Sequence, residues 1–390
     1  MMMKNQIMQE LDHLQAVLFT LSDAIGHNPE LGLQEFESAA KLTELLREHS
    51  FIVEMNICGY ETAFKAVYDS GKAGPTIAFL GEYDALPEIG HGCGHNMIGV
   101  MAVGAGIGLS KVLADIGGRV IVLGTPAEET MGAKVAMARD GILAEVDAAI
   151  LVHPHNKTHA SGVSLAMDAL QFEFKGQTSH AASAPEKGIN ALDAVIQTFN
   201  ATNALRQHVT SDVRIHGIIT KGGVAANVVP EYAVAQFYVR ARRRKVLDEV
   251  VKKVKNCAQA AALATGAQLT ISNYELSYDD MNTNQTLSKA FSANLLAVGE
   301  TTINPPPETF GSIDMGNVSY VVPAIHPYIG IGNEALVAHT AEMAAATFTP
   351  AAHQALLRAA KAMALTGYDL ITNASLLAEI KKEFCQSLIH

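Results

Sequence analysis

Residues 76–99, TIAFLGEYDALPEIGHGCGHNMIG, decide the fold, because a short apolar run leads into metal-capable side chains and then into a helical segment. Buried parallel strands read as continuous apolar runs, and ligands in such sheets bind beyond the carboxyl ends of the strands. The stretch therefore predicts a central strand that ends at a functional site.

The same alternation continues on the C-terminal side of this stretch. Further β-rich runs lie at residues 119–123 and 148–152, and helical patterns cover residues 97–113 and 133–144. Short apolar strands that alternate with helices are typical of α/β proteins. The pattern predicts a mostly parallel central sheet flanked by helices.

A second pattern begins near residue 168. The predicted order is strand, helix, strand, strand, helix, strand, at residues 170–174, 191–205, 213–219, 233–239, 246–263 and 268–271. This order is that of a small ferredoxin-like α+β sheet with helices on one face. We therefore predict an inserted domain at residues 168–282 and a discontinuous first domain at 1–167 and 283–390. The runs 319–322 and 328–331 are expected to return to the first sheet, before a C-terminal helix at 351–365.

Composition narrows the class of protein. The chain has 390 residues, 49% of them hydrophobic, and a formal net charge of −11, which disfavours nucleic acid and anionic membrane surfaces as partners. The apolar stretch 97–109 is expected to be a buried helix, too short and too glycine-rich to span a membrane. The acidic, helically patterned N-terminus does not resemble a secretory signal. The cysteines lack paired spacing, as expected of reduced thiols, so a cytoplasmic location is predicted.

Metal-capable side chains follow three consecutive predicted strands. Cys93 and His95 follow the first, Glu128 and Glu129 the second, and His153 the third. Sulfur, nitrogen and oxygen donors together suit zinc, manganese, cobalt or nickel, whereas calcium and magnesium prefer oxygen alone. Adjacent carboxylates repel and diverge, so one glutamate can bind metal while the other stays free for proton transfer.

Other interpretations of these residues are weaker. The glutamate pair could be a solvated helix N-terminus, but Pro126 and the strand before it disfavour this. Cys93 could be a nucleophile, but beside His95 it is better placed as a thiolate ligand. The glycines at 104–108 lie within a helical run, so they do not form a dinucleotide-binding turn.

Several stretches, taken together and in order, resemble the aminoacylase and carboxypeptidase superfamily of dinuclear metallopeptidases. Within it they are most similar to the amidohydrolase branch of p-aminobenzoyl-glutamate hydrolases, hippurate hydrolases, and β-alanyl-lysine and Xaa-Arg dipeptidases. The stretches are residues 81–99, 124–134, 147–156, 176–194, 222–241, 311–327 and 338–340.

The resemblance implies a pair of divalent metal ions in each subunit, manganese or zinc before cobalt or nickel. The ligands it implies are Cys93, His95, Glu129, His153 and His339. Glu128 would be the catalytic carboxylate, and Asp84 would orient a ligand. Glu82 stands where the superfamily usually has histidine, and Asn96 where related branches have aspartate, which predicts a weaker second metal site.

The resemblance also makes the inserted domain a lid and a dimerisation module. Its substrate-binding residues would be His180, which would stabilise the oxyanion, together with Asn227 and Arg240, which would bind a substrate carboxylate. A homodimer formed through the lid domain is expected.

The predicted activity is metal-assisted hydrolysis of an amide bond in a small carboxylate-bearing dipeptide or N-acyl amino acid, with Glu128 as general base. A carbamoyl-amide hydrolase or deacetylase on the same scaffold is one alternative. A non-catalytic metal or peptide binder is the other.

Overall fold

A computed structural model describes residues 2–307 and 311–389 of the chain. The chain divides into two compact units. The first holds the described parts of Met1–Val163, Met281–Thr309 and Asp314–His390, and the second holds those of Ser164–Asp280 and Phe310–Ile313. The main entry and exit of the second unit thus lie at residues 164 and 280, where the sequence predicted 168 and 282, and residues 311–313 also group with this unit although the sequence placed them in the first domain.

The regular elements of both units are numbered in chain order. The strands are β1 (Ile52–Met55), β2 (Phe64–Asp69), β3 (Thr76–Gly81), β4 (Arg119–Gly124), β5 (Ala148–Ile150), β6 (His153–His155), β7 (Ala166–Lys175), β8 (Arg214–Lys221), β9 (Tyr232–Ala241), β10 (Gln268–Asn273), β11 (Ala324–Ile325) and β12 (Tyr328–Gly330). The helices are α1 (Met2–His27), α2 (Phe36–Glu48), α3 (His95–Ile116), α4 (Ala133–Arg139), α5 (Ala191–Leu205), α6 (Arg244–Thr265), α7 (Gln285–Ala297), α8 (Met315–Val318), α9 (Ala341–Ala346), α10 (Pro350–Thr372) and α11 (Ala374–Ser387).

The first unit is built on a six-stranded sheet with the order β1-β2-β4-β3-β5-β11. Strands β4, β3, β5 and β11 run parallel, which confirms the predicted α/β winding. An antiparallel edge formed by β2 and β1, which the sequence pattern did not predict, extends this sheet. Because β3, β4 and β5 are parallel neighbours, the segments that follow them meet at one edge of the sheet.

Helix α3 forms the centre of the first unit and packs against β3, α1 and α10. Glycines make the close approach of α1 possible, since a Cβ atom at Gly104 would lie 3.1 Å from Leu18 and one at Gly108 would lie 3.0 Å from Leu11. The prediction of a buried helix is confirmed. The expectation that this helix is too short to span a membrane is wrong, because α3 has 22 residues and is long and apolar enough to do so. In the fold, however, 89% of its most apolar 18-residue stretch is buried.

Three predicted elements differ from the structure. Residues 319–322 are not a strand, because Ser319 and Val322 close helical turns onto the end of α8. Residues 328–330 do not join the large sheet but pair with β6 in a separate two-stranded sheet. Helix α4 ends at Arg139 instead of residue 144, since Gly141 adopts a left-handed φ of 79°.

The second unit is a four-stranded antiparallel sheet with the order β10-β7-β9-β8. Helices α5 and α6 cover one face, and the buried core between helices and sheet contains Phe172, Phe174 and Phe237. The predicted strand-helix-strand-strand-helix-strand order is confirmed. Strand β8 lies at an edge of this sheet.

Candidate active site

The five predicted metal ligands of the first unit lie together at the carboxyl ends of β3, β4 and β5. They form two sets of three whose ligand atoms lie within 4.8 Å of one another, Cys93 with His95 and His153, and Cys93 with Glu129 and His339. The Cys93 sulfur therefore belongs to both sets. This geometry can hold two divalent cations that share one thiolate.

The histidine side chains are oriented as metal ligands would be. The Nδ1 atom of His95 lies 2.9 Å from Asp84 Oδ1, and Nδ1 of His153 lies 2.7 Å from the carbonyl oxygen of Pro154. Each contact fixes the tautomer that leaves Nε2 free to bind an ion. Among the described residues, His95 Nε2 is buried without a hydrogen-bond partner, so this donor set fits a metal.

Unusual backbone conformations place these ligands. Gly94 has a φ of 80°, and a Cβ atom there would lie 3.0 Å from Pro154, so the Cys-Gly-His turn needs glycine. Ala127 and His339 also adopt left-handed φ values, of 57° and 64°. Strained backbone of this kind persists where surrounding contacts over-determine it, and both residues here belong to the site or adjoin it.

Two buried carboxylates support these turns. Asp84 accepts a hydrogen bond from Glu129 N at 3.0 Å in addition to its contact with His95, so it ties the first ligand segment to the second. Glu35 Oε1 accepts from Ala127 N at 2.8 Å, directly before the glutamate pair. Asp84, which was predicted to orient a ligand, contacts His95, and its orienting role stays a prediction. Glu35 was not predicted, because nothing local in its sequence marks it.

Glu82 forms an ion pair with a buried lysine, Lys134. Its Oε1 atom lies 2.7 Å from Lys134 Nζ, and the same ammonium lies 2.6 Å from Asp314 Oδ1. One oxygen each from Glu82, Glu128 and Asp314 lie within 4.8 Å of one another. Lys134 and Asp314 stand in the stretches that carry the family resemblance, but no motif assigned them a role.

The titratable groups of the site are strongly perturbed. Burial, followed by the charges of Glu82 and Asp314, raises the pKa of Glu128 well above its ordinary value. Burial raises the pKa of the Cys93 thiol to about 12 and lowers the pKa of His153 to about 3. Bound cations would favour the thiolate and the carboxylates, so metal binding and proton release are coupled here.

We expect metal binding to release the proton of Cys93, because a thiol with a pKa of about 12 is protonated at neutral pH and only the thiolate binds metal. Calorimetric titration of metal-free protein in buffers of different ionisation enthalpy measures the protons released. Cys93→Ser should weaken binding and reduce the release by about one proton, while Cys257→Ser, a thiol of the second unit, should change neither. Equal release from all three proteins would contradict the assignment of Cys93 as a ligand.

Asn96 does not face the ligands. Its side-chain amide donates to Ser22 and Thr347, at 3.2–3.3 Å, and joins α3 to neighbouring segments.

Two further aromatic rings lie beside His153. The ring centroids of His326 and Tyr328 are 5.5 and 5.7 Å from that of His153, and neither residue was predicted as part of the site.

In the second unit, His180 and Asn227 lie together. The backbone of His180 pairs with Val228, Ala181 N donates to Asn227 O at 3.0 Å, and His180 and Asn227 are exposed. The His180 Nδ1 atom accepts hydrogen bonds from the backbone N–H groups of Ala182 and Ser183.

Arg240 is not brought to this pair. It stands near the far end of β9, while His180 and Asn227 precede the start of that strand and follow the end of β7. The eight-residue step from Tyr232 to Arg240 spans roughly 26 Å at about 3.3 Å per residue. Arg240 is at the end of the sheet where the chain enters and leaves the second unit, and the three predicted substrate residues therefore form two separate groups.

Comparison with known proteins agrees with this organisation. Residues 167–265 match the family model described as Peptidase dimerisation domain. The chain is 38% identical to Xaa-Arg dipeptidase from Mus musculus, over 98% of this chain and 92% of that protein. It is 29% identical to one of the two polypeptides of p-aminobenzoyl-glutamate hydrolase from Escherichia coli, over 94% of this chain and 91% of that protein.

A solved structure shares the fold. A putative aminohydrolase from methicillin-resistant Staphylococcus aureus superposes with a TM-score of 0.78 at 19% identity, covering 94% of this chain and 99% of that one. The architecture of both units is thus found at nearly full length in a known structure.

Proposed function

Since the chain belongs to the metallopeptidase family of Xaa-Arg dipeptidases and p-aminobenzoyl-glutamate hydrolases, which hydrolyse amide bonds, we propose that its substrates are dipeptides ending in a basic residue. The observation that carries hydrolysis is the carboxylate of Glu128, placed beside two ligand sets that share Cys93. The Xaa-Arg dipeptidase relative, similar over nearly the whole chain, supports the basic residue.

We propose that a pair of divalent ions occupies the two ligand sets, with manganese or zinc favoured over cobalt or nickel. A bound pair would polarise the scissile carbonyl and acidify the attacking water. Thiolate, imidazole and carboxylate donors support an ion of borderline softness. Asp84 fixes His95 for this role through the contact at Nδ1.

The chain's own residues would move the protons. Glu128 takes a proton from the attacking water and delivers it to the leaving amine. Glu129 cannot share this task while it binds metal, so the two adjacent glutamates divide the work. Burial favours the protonated form of Glu128 after the first transfer, which suits a group that must then act as an acid.

The open face of the second unit offers a place for a basic residue. The guanidinium carbon of Arg240 lies 5.6 Å from the ring centroid of Tyr238, whose hydroxyl donates to Glu275 Oε1 at 2.6 Å. A cation and a carboxylate thus flank one aromatic ring. We propose that Arg240 binds the C-terminal carboxylate of the dipeptide and that Glu275 binds its basic side chain.

We propose a homodimer formed through the second unit, which would act as a lid. The match to the dimerisation-domain family supports this, as does the unpaired edge of β8. That strand exposes 62% of Ile218 and 43% of Ile219. Exposed apolar edge strands pair readily with a second chain.

A cytoplasmic location stays our proposal, supported by four cysteines that are all free thiols in the structure.

A hydrolysis screen tests the substrate. Metal-free protein, reconstituted with manganese, zinc, cobalt or nickel, is given dipeptides ending in arginine, lysine, glutamine or methionine, and also p-aminobenzoyl-glutamate, hippurate, an N-acetyl amino acid and a carbamoyl amino acid. The highest kcat/KM is expected for arginine and lysine dipeptides. Preference for the acetyl or carbamoyl compound would replace the proposed substrate with the deacetylase or carbamoyl-amide alternative, and turnover that persists after chelation would exclude the metal mechanism.

Glu275→Gln is expected to lower kcat/KM for arginine and lysine dipeptides at least about tenfold, and to spare dipeptides ending in glutamine, because only the basic side chain loses an ion pair. Glu173→Gln is the matched control. That carboxylate also accepts from a tyrosine hydroxyl, of Tyr232 at 2.8 Å, but it lies at the opposite end of β9. An equal loss on all dipeptides would contradict the role of Glu275.

A further inference from the structure

Lys134, the second residue of α4, is a lysine whose side chain is entirely enclosed. Its side chain is 0% exposed, and its ammonium contacts Asp314 Oδ1 at 2.6 Å and Glu82 Oε1 at 2.7 Å. Lysine is rarely buried completely, and a buried ammonium is stable only with hydrogen-bonded counter-charges. Two buried carboxylates, those of Glu82 and Asp314, therefore stabilise the ammonium of Lys134.

The ammonium lies in a group of carboxylates that resembles a metal site. Oxygens of Glu82, Glu128 and Asp314 all lie within 4.8 Å of one another, a spacing at which three oxygen donors can hold a divalent ion. In this chain the Nζ atom of Lys134 contacts two of the three. The ammonium of Lys134 thus brings a positive charge into this carboxylate group.

Asp314 and Glu82 hold Lys134 in place and link it to the candidate metal ligands. Asp314 binds Lys134 twice, through Nζ and through the backbone N at 3.2 Å, which anchors the carboxylate at the start of α4. The second oxygen of Glu82 points the other way, 3.4 Å from His95 Nε2. Lys134 and Glu82 therefore connect Asp314 to the metal-ligand sets, and Glu128 borders the same group.

We propose that Lys134 is a positioning residue for Glu128: its ammonium occupies the place of a divalent ion among Glu82, Glu128 and Asp314, holds the Glu128 carboxylate beside the ligand sets, and keeps a further metal ion out. This inference rests on the proposed function of Glu128 as the base. It also gives Glu82 a role, as a counter-ion of Lys134 and not a metal ligand.

Charge balance supports the proposal. Without the ammonium, the buried carboxylates of Glu82 and Asp314 would lose their shared counter-charge beside Glu128, which is strongly unfavourable for buried charges. Burial alone would lower the pKa of Lys134, but Asp314 and Glu82 outweigh it and raise the pKa above its ordinary value, so the group is charged at all pH values of interest. If the ammonium is removed, we expect the repulsion among the carboxylates to be relieved by movement of Glu128 or by uptake of a metal ion.

The test is Lys134→Met, which keeps an unbranched side chain, one heavy atom shorter, and removes its charge. We expect kcat to fall about a hundredfold or more with KM within a fewfold of wild type, since a displaced base affects the chemical step more than binding. The purified variant, saturated with manganese or zinc and then desalted, should carry one more ion per subunit than wild type by elemental analysis. A lysine that only supports folding would not raise the metal content.

The matched control is Lys4→Met, which breaks the ion pair of Lys4 with Asp369 at 2.6 Å, outside the site. It should leave kcat and metal content unchanged. Wild-type kcat in Lys134→Met, or a loss of activity with no additional ion, overturns the proposal.

If Lys134→Met does not fold, the double variant Lys134→Met with Glu82→Gln removes one positive and one negative charge together. It should fold and keep a low kcat at near-normal KM, and wild-type kcat in this double variant overturns the proposal. A failure of the proposed function is distinguishable, because wild-type protein would then hydrolyse no amide while the metal count of Lys134→Met could still be measured on resting protein.

Discussion

Glu128→Gln is expected to lower kcat by about 10²- to 10⁴-fold, because an amide cannot accept the proton of the attacking water or return it to the leaving amine. One ligand atom each from His95, Glu128 and Glu129 lie within 4.8 Å of one another, so proximity alone does not separate the roles of the two glutamates. Steady-state kinetics with a dipeptide ending in arginine, on protein of known metal content, measures the effect. KM should change little.

The control is Glu129→Gln at the adjacent position. Glu129 shares a ligand set with Cys93 and His339, and its loss should reduce bound metal and thermal stability together, since binding to the folded state stabilises that state. Glu128→Gln should retain its metal and its melting temperature. Near-normal turnover in Glu128→Gln, or metal loss from it equal to that of Glu129→Gln, would remove Glu128 from the role of base.

Mixing two inactive variants, His180→Ala and Glu128→Gln, is expected to restore activity. His180 and Arg240 lie at opposite ends of the sheet of the second unit. The part of β9 between these ends, from Tyr232 to Arg240, spans roughly 26 Å at about 3.3 Å per residue, too far for one small substrate. If both contact the same dipeptide, they come from different subunits. We propose that Arg240 serves its own chain, because it lies at the end of the sheet where the chain enters and leaves the second unit, and that His180 reaches the neighbouring site.

In an equal mixture with free subunit exchange, about half of the dimers are mixed and each mixed dimer contains one intact site, so about a quarter of wild-type activity should return. Arg240→Ala mixed with Glu128→Gln is the matched control. If Arg240 serves the site of its own chain, as we propose, Arg240 and Glu128 belong to the same site, so every site stays defective and no activity returns. If His180→Ala also gives no recovery, although mass spectrometry detects mixed dimers, His180 acts within its own subunit.

Sequence reasoning grouped four of the five candidate metal ligands, Cys93, His95, Glu129 and His153, because each follows a buried strand. Apolar runs such as those of β3 and β4 are recognisable without knowledge of their neighbours, and parallel strands present their carboxyl ends at one edge. Cys93, His95 and His153 were thus placed near one another from local pattern alone. His339 came only from family resemblance, because it follows no strand of the large sheet.

Local pattern failed where long-range contacts outweigh it. Residues 319–322 carry β-forming side chains, yet the backbone N–H groups of Ser319 and Val322 make helical hydrogen bonds at the end of α8. The strand that joins the sheet is β11 instead. The β12 segment has the pattern of another core strand, but its partner is β6, in a separate sheet. Strand propensity is set by the partner and by burial, which a single sequence does not specify.

The sequence by itself therefore determined the α/β class, the inserted α+β unit and the chemical character of the candidate metal ligands, since these depend on hydrophobic period and residue type. Only the tertiary structure decided which buried charges compensate one another. Lys134 meets Asp314 across 180 positions, and Glu35 reaches Ala127 across 92. The separation of His180 from Arg240 likewise emerges from the pairing of β7 with β9. Such partners carry no local periodicity, because the free energy that selects them arises only when distant segments are buried together.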